Sequence, residues 1–370
     1  MQRIIVSVSN DLDTDQRVKK VCQTLFDLGY EVILIGRLLP NSLPLKRPYQ
    51  THRMQLFFNK GFLYYAELNI RLFFKLLLGK PDILLSNDLD TLLPNFLIHK
   101  ILKIKLVYDS HELFTEIPEL TNRPGIKRIW TSIEKSLLPN VKNMYTVNSQ
   151  IAAYYHSKYK IPVQVIRNLP YKQETAIPGK AFKDLIKQNR KMIILQGTGL
   201  NMDRGAEEAV LMMQFLQNTV LYIIGGGDAF EKLASLIIDH RLEDKVFLLK
   251  KMPYEKLLEY TSLADLGLSL DKNTNLNYEW SLPNKLFDYV QCRVPVLVSD
   301  RKLVAEFVKN NDIGLVTKTF DPMLLAQTVS SIFADEKTYQ IWKENLDKIA
   351  PEYTWENESE KLTKIFNNLV

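Results

Sequence analysis

Cysteine is scarce in this sequence: among 370 residues there are only Cys22 and Cys292. Two cysteines cannot build a disulfide framework, and they cannot complete a zinc site alone, so a reducing compartment is expected. Long apolar runs are also missing. No segment approaches the roughly 20 residues that a membrane-spanning helix needs. Met1–Ser9 reads as a strand, without the n-region, h-region or cleavage site of a signal peptide. A cytoplasmic location follows as the expectation. The loop after that strand, Ser9-Asn10-Asp11-Leu12-Asp13-Thr14-Asp15, holds no glycine, which argues against a dinucleotide-dependent dehydrogenase. No P-loop ending in Gly-Lys-Ser/Thr occurs, and no Gly-x-Ser-x-Gly follows a strand. P-loop kinases and α/β-hydrolases are disfavoured accordingly.

What is present is an ordinary globular composition, 46% apolar and 24% charged, with a net charge of +6. That excludes a wholly disordered, collagen-like or membrane-embedded chain, and the length suits two or three domains. Short β-branched runs alternate with helix-length segments. Strands are expected at Ile4–Ser9, Glu31–Ile35, Ile83–Ser86, Leu106–Tyr108, Met144–Val147 and Val163–Ile166. After Asn168-Leu169-Pro170 and a polar segment from Tyr171 to Arg190, the alternation restarts. It gives strands at Met192–Gln196, Val220–Ile224, Val246–Leu249, Leu266–Leu270, Val294–Val298 and Leu315–Val316. Near-continuous apolar strands between helices indicate parallel sheets covered on both faces. The expected domains are 1–170 and 171–352, followed by an amphipathic helix within 353–370 that carries Trp355, Leu362, Ile365, Phe366 and Leu369.

Charge is unevenly spread. Between Arg37 and Lys80 stand eight basic residues and one acid, Glu67, interleaved with Phe57, Phe58, Phe62, Tyr64, Tyr65, Phe73 and Phe74. Such a mixture suits an anionic lipid surface. It equally describes a helix with a buried aromatic face and a solvated basic face. RNA binding ranks below both, because no nucleic-acid motif accompanies the patch.

In open parallel sheets, ligands bind beyond the carboxyl ends of the strands, and three such loops carry informative residues. The first is Gln196-Gly197-Thr198-Gly199, leading to Asp203-Arg204-Gly205 and a helix. Arg204 stands where helix amides begin to point outward, which favours a phosphate; the bland alternative is a local pair with Asp203. The second is Leu221–Gly227 followed by Asp228, a natural N-cap, equally readable as a tight strand-to-helix turn. The third is Leu282-Pro283-Asn284-Lys285-Leu286-Phe287-Asp288, with Pro283 at the expected first helical position. A lysine in the first turn of a helix opposes the macrodipole, and a local rule broken in this way points toward function. A phosphate would suit both Lys285 and the helix start; the bland alternative is an exposed Lys285–Asp288 pair. Two cations at two helix starts match a diphosphate without a metal ion.

With these residues in view, the chain resembles the family 4 retaining glycosyltransferases of bacterial polysaccharide-assembly type. The matching residues are Gly197-Thr198-Gly199…Arg204-Gly205, Leu221–Gly227, Ala264–Leu268, and Pro283–Tyr289 continuing into Val294-Pro295-Val296. In the first half they are Asp109-Ser110-His111-Glu112 and Asn10…Asp15-Gln16-Arg17-Val18. The resemblance implies an α/β chain with the GT-B fold, two doubly wound Rossmann-like domains with a cleft between them. It implies a hexosyltransferase that takes a nucleoside-diphosphate sugar as substrate, with no cofactor and no metal. The acceptor would be a saccharide or, given the Arg37–Lys80 patch, a polyprenyl-linked saccharide, which would make an anionic membrane surface a partner and place the protein peripherally on the inner face of the plasma membrane. By the same resemblance, Arg204 and Lys285 would hold the diphosphate and Asp288 the ribose. Gly197, Thr198, Gly199, Gly226, Met252, Leu282, Pro283 and Asn284 would line the donor. His111 would face the donor sugar, and Asn10, Asp11, Asp15 and Arg17 would lie on the acceptor side. The chain departs from the family's Glu-x7-Glu pattern, with Trp280 and Asp288 at those positions and Glu279 one residue off register. Three rivals stand beside this reading. They are a metal-dependent GT-A transferase using Asp88-Leu89-Asp90, a sugar-nucleotide epimerase of the same fold, and a non-catalytic scaffold.

Overall fold

The computed structural model describes the chain apart from Thr14, Asn41, Leu43, Pro118, Glu119, Thr121, Asn122, residues 174–179, Thr198, Met202 and Val370. It contains two compact units, Met1–Asn168 together with Glu356–Val370, and Leu169–Trp355.

The first unit holds seven parallel strands: β1 (Arg3–Asp11), β2 (Glu31–Leu38), β3 (Gln50–Gln55), β4 (Ile83–Asn87), β5 (Lys105–Ser110), β6 (Asn143–Thr146) and β7 (Val163–Val165). Their order is β3-β2-β1-β4-β5-β6-β7. The chain winds outward from β1 to β3, then restarts at β4 on the other side of β1, so the switch point lies between β1 and β4. Because β3 to β6 advance in one direction with right-handed crossovers, helices Gly61–Leu78, Leu89–Leu102 and Pro124–Leu137 fall on one face of the sheet. Strand β3 is an element that apolar runs do not reveal. It reads Gln-Thr-His-Arg-Met-Gln, and only Met54 is buried. As the sheet edge, paired with β2 alone, it needs no continuous apolar face.

The C-terminal helix Trp355–Asn367 contributes to this unit from residue 356 onward. It is pinned by Glu358, which is fully buried and accepts from the Arg167 amide at 2.8 Å and from the Arg167 Nη2 at 2.7 Å. The Phe366 ring meets Tyr30 edge-on with centroids 6.1 Å apart.

The second unit holds β8 (Lys191–Gly197), β9 (Thr219–Gly225), β10 (Val246–Lys250), β11 (Leu266–Ser269), β12 (Val296–Ser299) and β13 (Gly314–Thr317). The order is β10-β9-β8-β11-β12-β13, again parallel, with its switch point between β8 and β11. Alternation along β8 shows why both faces are apolar. Ile193 and Leu195 enter one core with helix Ala206–Met212, while Met192 and Ile194 enter the opposite core with helix Asn284–Gln291. Two helix starts differ from the sequence expectation. Pro283 takes the N-cap and the helix begins at Asn284. Ala229, rather than Asp228, takes the N-cap of helix Phe230–Asp239, and the Asp228 amide donates to the Asn201 side chain at 3.3 Å.

Burial by itself would raise the pKa of Glu358, but Lys361 and Arg167 hold it below the usual range. A carboxylate held down in this way stabilises the fold above the ordinary glutamate range, and that contribution is lost as pH falls below it. Replacing Glu358 with alanine should cost about 2–3 kcal/mol. Wild type and variant should unfold at converging temperatures in acid, as differential scanning calorimetry across pH will show.

Candidate active site

In the second unit the decisive group is one that the sequence motifs pass over. Asp271 follows β11 and is fully buried. Its Oδ1 receives Arg204 at 3.0 Å, and its Oδ2 receives Lys285 at 3.4 Å and Arg301 at 3.2 Å. The Ser269 hydroxyl donates to the same Oδ2 at 3.1 Å. The contributing loops follow β8, β11 and β12, three neighbours in the sheet, at the switch point. Arg204 and Lys285, far apart in sequence, therefore share one counterion. Arg301 joins them with a side chain only 1% exposed.

Three cations facing one carboxylate leave two positive charges in excess. Asp271 is held far below the usual carboxylate range by Lys285, Arg301 and Arg204, although burial opposes this. Burial lowers the pKa of Lys285; Asp271 counters it, and the two guanidinium groups push the same way as burial. The Nε atoms of Arg204 and Arg301 are buried and lack a hydrogen-bond partner among the described residues. Unpaired buried donors and surplus charge together describe a site prepared for an anion.

The same arginines fix the loop that precedes Pro283. Arg301 Nη1 donates to the Tyr278 carbonyl and, at 2.8 Å, to the Ser281 hydroxyl. The Arg204 guanidinium lies 4.3 Å from the centroid of the Tyr278 ring. Gly205, at φ +73°, sits where a Cβ would lie 2.4 Å from the Leu270 carbonyl oxygen. A bare backbone there lets the Arg204 turn approach the strand end that carries Asp271.

Asp288 lies one turn deeper. Its Oδ2 accepts from Gln196 at 2.8 Å and its Oδ1 from the Tyr254 hydroxyl at 2.6 Å. Thr261 donates to Gln196 at 2.7 Å. This buried network ties β8 to two helices, so a ribose contact by Asp288 would have to share or displace bonds already made. Gly197 ends β8, and the Leu200 amide after Gly199 donates to the Gly226 carbonyl at 2.7 Å, which packs the two glycine loops on each other. Met252 is half-buried against the core, Leu282 and Pro283 are half-buried, and Asn284 is exposed. Thr198 lies outside the described residues.

In the first unit, His111 follows β5 beside the switch point. Its Nδ1 lies 3.2 Å from Asp88, and its Nε2 lies 3.2 Å from both Asp109 and Asn87. The His111 amide donates to the second Asp88 oxygen at 2.8 Å. Burial would lower the imidazole pKa, but Asp88 and Asp109 reverse that and raise it to about 9. His111 is therefore an imidazolium at neutral pH. With both nitrogens engaged, it presents a fixed positive charge rather than a proton acceptor. Burial pushes the Asp88 carboxyl up to about 7. Asp88 also sits at φ 57°, ψ 168°, a backbone region nearly reserved for glycine, which costs on the order of 1–3 kcal/mol. Holding a histidine by both carboxylate oxygens is the return on that strain.

The acceptor-side residues divide. Arg17 is buried and turned inward, donating to both Asp109 oxygens at 2.9 and 2.7 Å and to the Ile166 carbonyl at 2.8 Å. Arg17 anchors the carboxylate behind His111, and its guanidinium is already occupied. Asp15 caps helix Gln16–Asp27 and accepts from Asn10 at 2.9 Å. Asp11 pairs with Arg53 at 3.0 Å. The Asp88-x-Asp90 pattern resolves likewise. Asp88 faces His111, Asp90 is buried, and among the described residues no cluster of three or more His, Cys, Asp or Glu side chains could hold a metal ion.

Two family models match this chain. "Glycosyltransferase Family 4" covers residues 15–169 and "Glycosyl transferases group 1" covers residues 179–348. The chain belongs to the family 4 glycosyltransferases. It is 25% identical over 292 residues to the chitobiosyldiphosphodolichol beta-mannosyltransferase of Candida albicans, a match covering 71% of this chain and 62% of that protein. The chain thus spans about three fifths of that curated relative. Among solved structures, sucrose-phosphate synthase from Thermosynechococcus elongatus is similar with a TM-score of 0.82 at 18% identity, covering 100% of this chain and 99% of that one. Anabaena HepE in complex with UDP and glucose gives 0.75 at 14%, covering 99% and 100%. WaaG, a glycosyltransferase involved in lipopolysaccharide biosynthesis, gives 0.72 at 15%, covering 98% and 99%. These likenesses establish the GT-B fold, with two Rossmann-like units.

The sequence motifs name Arg204, Lys285 and His111 with its neighbour Asp109, but not Asp271 and Arg301 as partners of the first two, nor Asp88 as the partner of His111. Asp271 and Arg301 each stand just past the end of an apolar strand, Leu266–Ser269 and Val296–Ser299. Asking which charged residues follow strand ends would have found both. The Asp271→Asn variant leaves buried Lys285 and Arg301 and half-buried Arg204 without their counterion and should lose about 3–5 kcal/mol of stability. Added pyrophosphate should restore part of that loss, read as a rise in unfolding midpoint larger than the wild type shows.

Proposed function

We propose that this glycosyltransferase moves a hexosyl group from a nucleoside-diphosphate sugar to a hydroxyl of a saccharide or polyprenyl-linked acceptor, with retention, in surface polysaccharide assembly. The observation that carries the reading is the Arg204–Lys285–Arg301 cluster on Asp271, whose two surplus positive charges complement a diphosphate. Further support comes from the HepE complex with UDP and glucose, and from the C. albicans relative, whose name specifies a diphosphodolichol-linked saccharide.

In this reading the bond from the anomeric carbon to the diphosphate oxygen breaks while the acceptor oxygen bonds the same carbon from the same face. The acceptor's proton leaves with the diphosphate. Arg204, Lys285 and Arg301 stabilise the charge that builds on the leaving oxygens. They are fixed beforehand by Asp271, so little reorganisation accompanies the step. Their charge takes the place of a divalent metal. His111, fixed between Asp88 and Asp109, orients the donor sugar.

Arg204→Ala and Lys285→Ala should each lower kcat roughly 100- to 1000-fold with the fold intact by circular dichroism. Full turnover in both would refute the phosphate role. Transfer should persist in EDTA; a strict demand for added metal would remove the metal-free clamp. Proton NMR of the product's anomeric centre decides retention. Because Lys285 is charged only below its depressed pKa, nucleoside-diphosphate affinity should weaken as pH rises. The activity should also fall above about pH 9, where His111 deprotonates, and His111→Gln should lack that second limb.

A further inference from the structure

Helix Gly61–Leu78 buries Tyr64, Leu68, Leu72 and Leu76, a regular i, i+4 stripe. A second apolar stripe, equally regular, faces outward as Phe62, Ala66, Ile70, Phe74 and Leu78, with Phe62 at 76% and Leu78 at 77% exposure. A soluble helix normally turns charge to that side. The adjoining helix Leu89–Leu102 repeats the arrangement, with Leu93, Leu97 and Ile101 exposed. The two outward stripes converge on an apolar groove of about 320 Å³ lined by Ile70, Phe73, Phe74, Leu93, Pro94 and Leu97. Just before the first helix, Phe57 is 84% exposed. It is held there because Glu67 accepts from the Phe57 and Phe58 amides at 2.9 and 3.0 Å.

The charge on this face has one sign. Each helix carries a single acid. Glu67 is consumed by those amides and by Arg71 at 2.7 Å, and Asp90 is buried. Lys60, Lys75, Lys80, Lys100 and Lys103 are all exposed around the apolar stripes. Asp82, at the foot of β4, accepts from the Arg3 amide at 2.7 Å. Arg53 pairs with Asp11; Lys60, Lys75 and Lys80 stand along and at the ends of the first helix, and Lys100 and Lys103 at the end of the second.

We propose that helices Gly61–Leu78 and Leu89–Leu102 form a docking face for an anionic lipid bilayer. The groove and stripes enter the headgroup boundary while the lysines, whose stems can lie along apolar surface, meet lipid phosphates. Apolar area and uniform positive charge on one face fit this surface. A second copy of the chain would bring lysine against lysine. The docking face rests on the lipid-linked acceptor reading for its purpose, but it is measured without turnover.

The test is flotation of the full chain with vesicles of phosphatidylglycerol and phosphatidylcholine, against phosphatidylcholine alone. Wild type should float with the anionic vesicles at low salt and less at high salt. Ile70→Ser/Phe74→Ser and Lys75→Glu/Lys100→Glu should each reduce the bound fraction about tenfold at an unchanged unfolding temperature. Failure of wild type to float at either salt overturns the proposal, as does flotation of both variants at wild-type level. A wild-type dimer by light scattering that the apolar variant converts to monomer would also overturn it, by assigning the face to self-association. Transfer to a water-soluble acceptor, measured in parallel, should be unchanged in the variants. Its absence in wild type would sink the transferase reading and leave the flotation result standing.

Discussion

A single buried carboxylate organises the second unit. Asp271 has no solvent exposure, and ionised alone it would be prohibitively costly. Three cations surround it, and each would in turn be costly without it. The arrangement is asymmetric, because one carboxylate can neutralise only one of the three. The remaining charge is the site's working charge, stored before any ligand arrives. That asymmetry also explains the unsatisfied Nε atoms of Arg204 and Arg301, since a carboxylate has too few lone pairs for the donors gathered around it. Arg301 links the storage of charge to the shape of the loop before Pro283, holding Tyr278 and Ser281 while facing Asp271.

The first unit solves a similar problem with the signs reversed. Here one imidazole stands among carboxylates, with Asp88 and Asp109 on either side and Arg17 behind Asp109. The chain Arg17–Asp109–His111–Asp88 alternates in charge, so each member is paired although most are buried. Its energetic trace is the strained backbone at Asp88. Strain of this kind persists only where surrounding contacts over-determine it, and the two bonds from His111 supply them. Both clusters stand beyond strand ends at a switch point, where diverging crossovers leave a gap that side chains from several loops can enter.

Much of the fold was legible. Apolar runs located twelve of the strands because parallel strands buried on both faces need unbroken hydrophobic sequence. The polar edge strand Gln50–Gln55 escaped for the converse reason. The broken helix rule at Lys285 has a resolution that the motif alone does not show. Its buried partner is Asp271, from another loop, while Asp288 serves Gln196 and Tyr254. The basic aromatic stretch was visible too. Which of its residues face outward was not, because Leu68, Leu72 and Leu76 compete with Phe62, Ile70 and Phe74 for the same core.

Sequence by itself determined the alternation of strands and helices, the division into two parallel-sheet units, and the cations at two helix starts, because these depend on local periodicity and on which residue types helix ends tolerate. Tertiary structure decided the pairing. Asp271 stands 67 residues from Arg204 and 30 from Arg301, with Lys285 on a separate helix between Asp271 and Arg301, and nothing local couples their charges. Only the strand order, which sets β8, β11 and β12 side by side, brings them within a few ångströms, where burial makes their mutual attraction strong enough to fix the site.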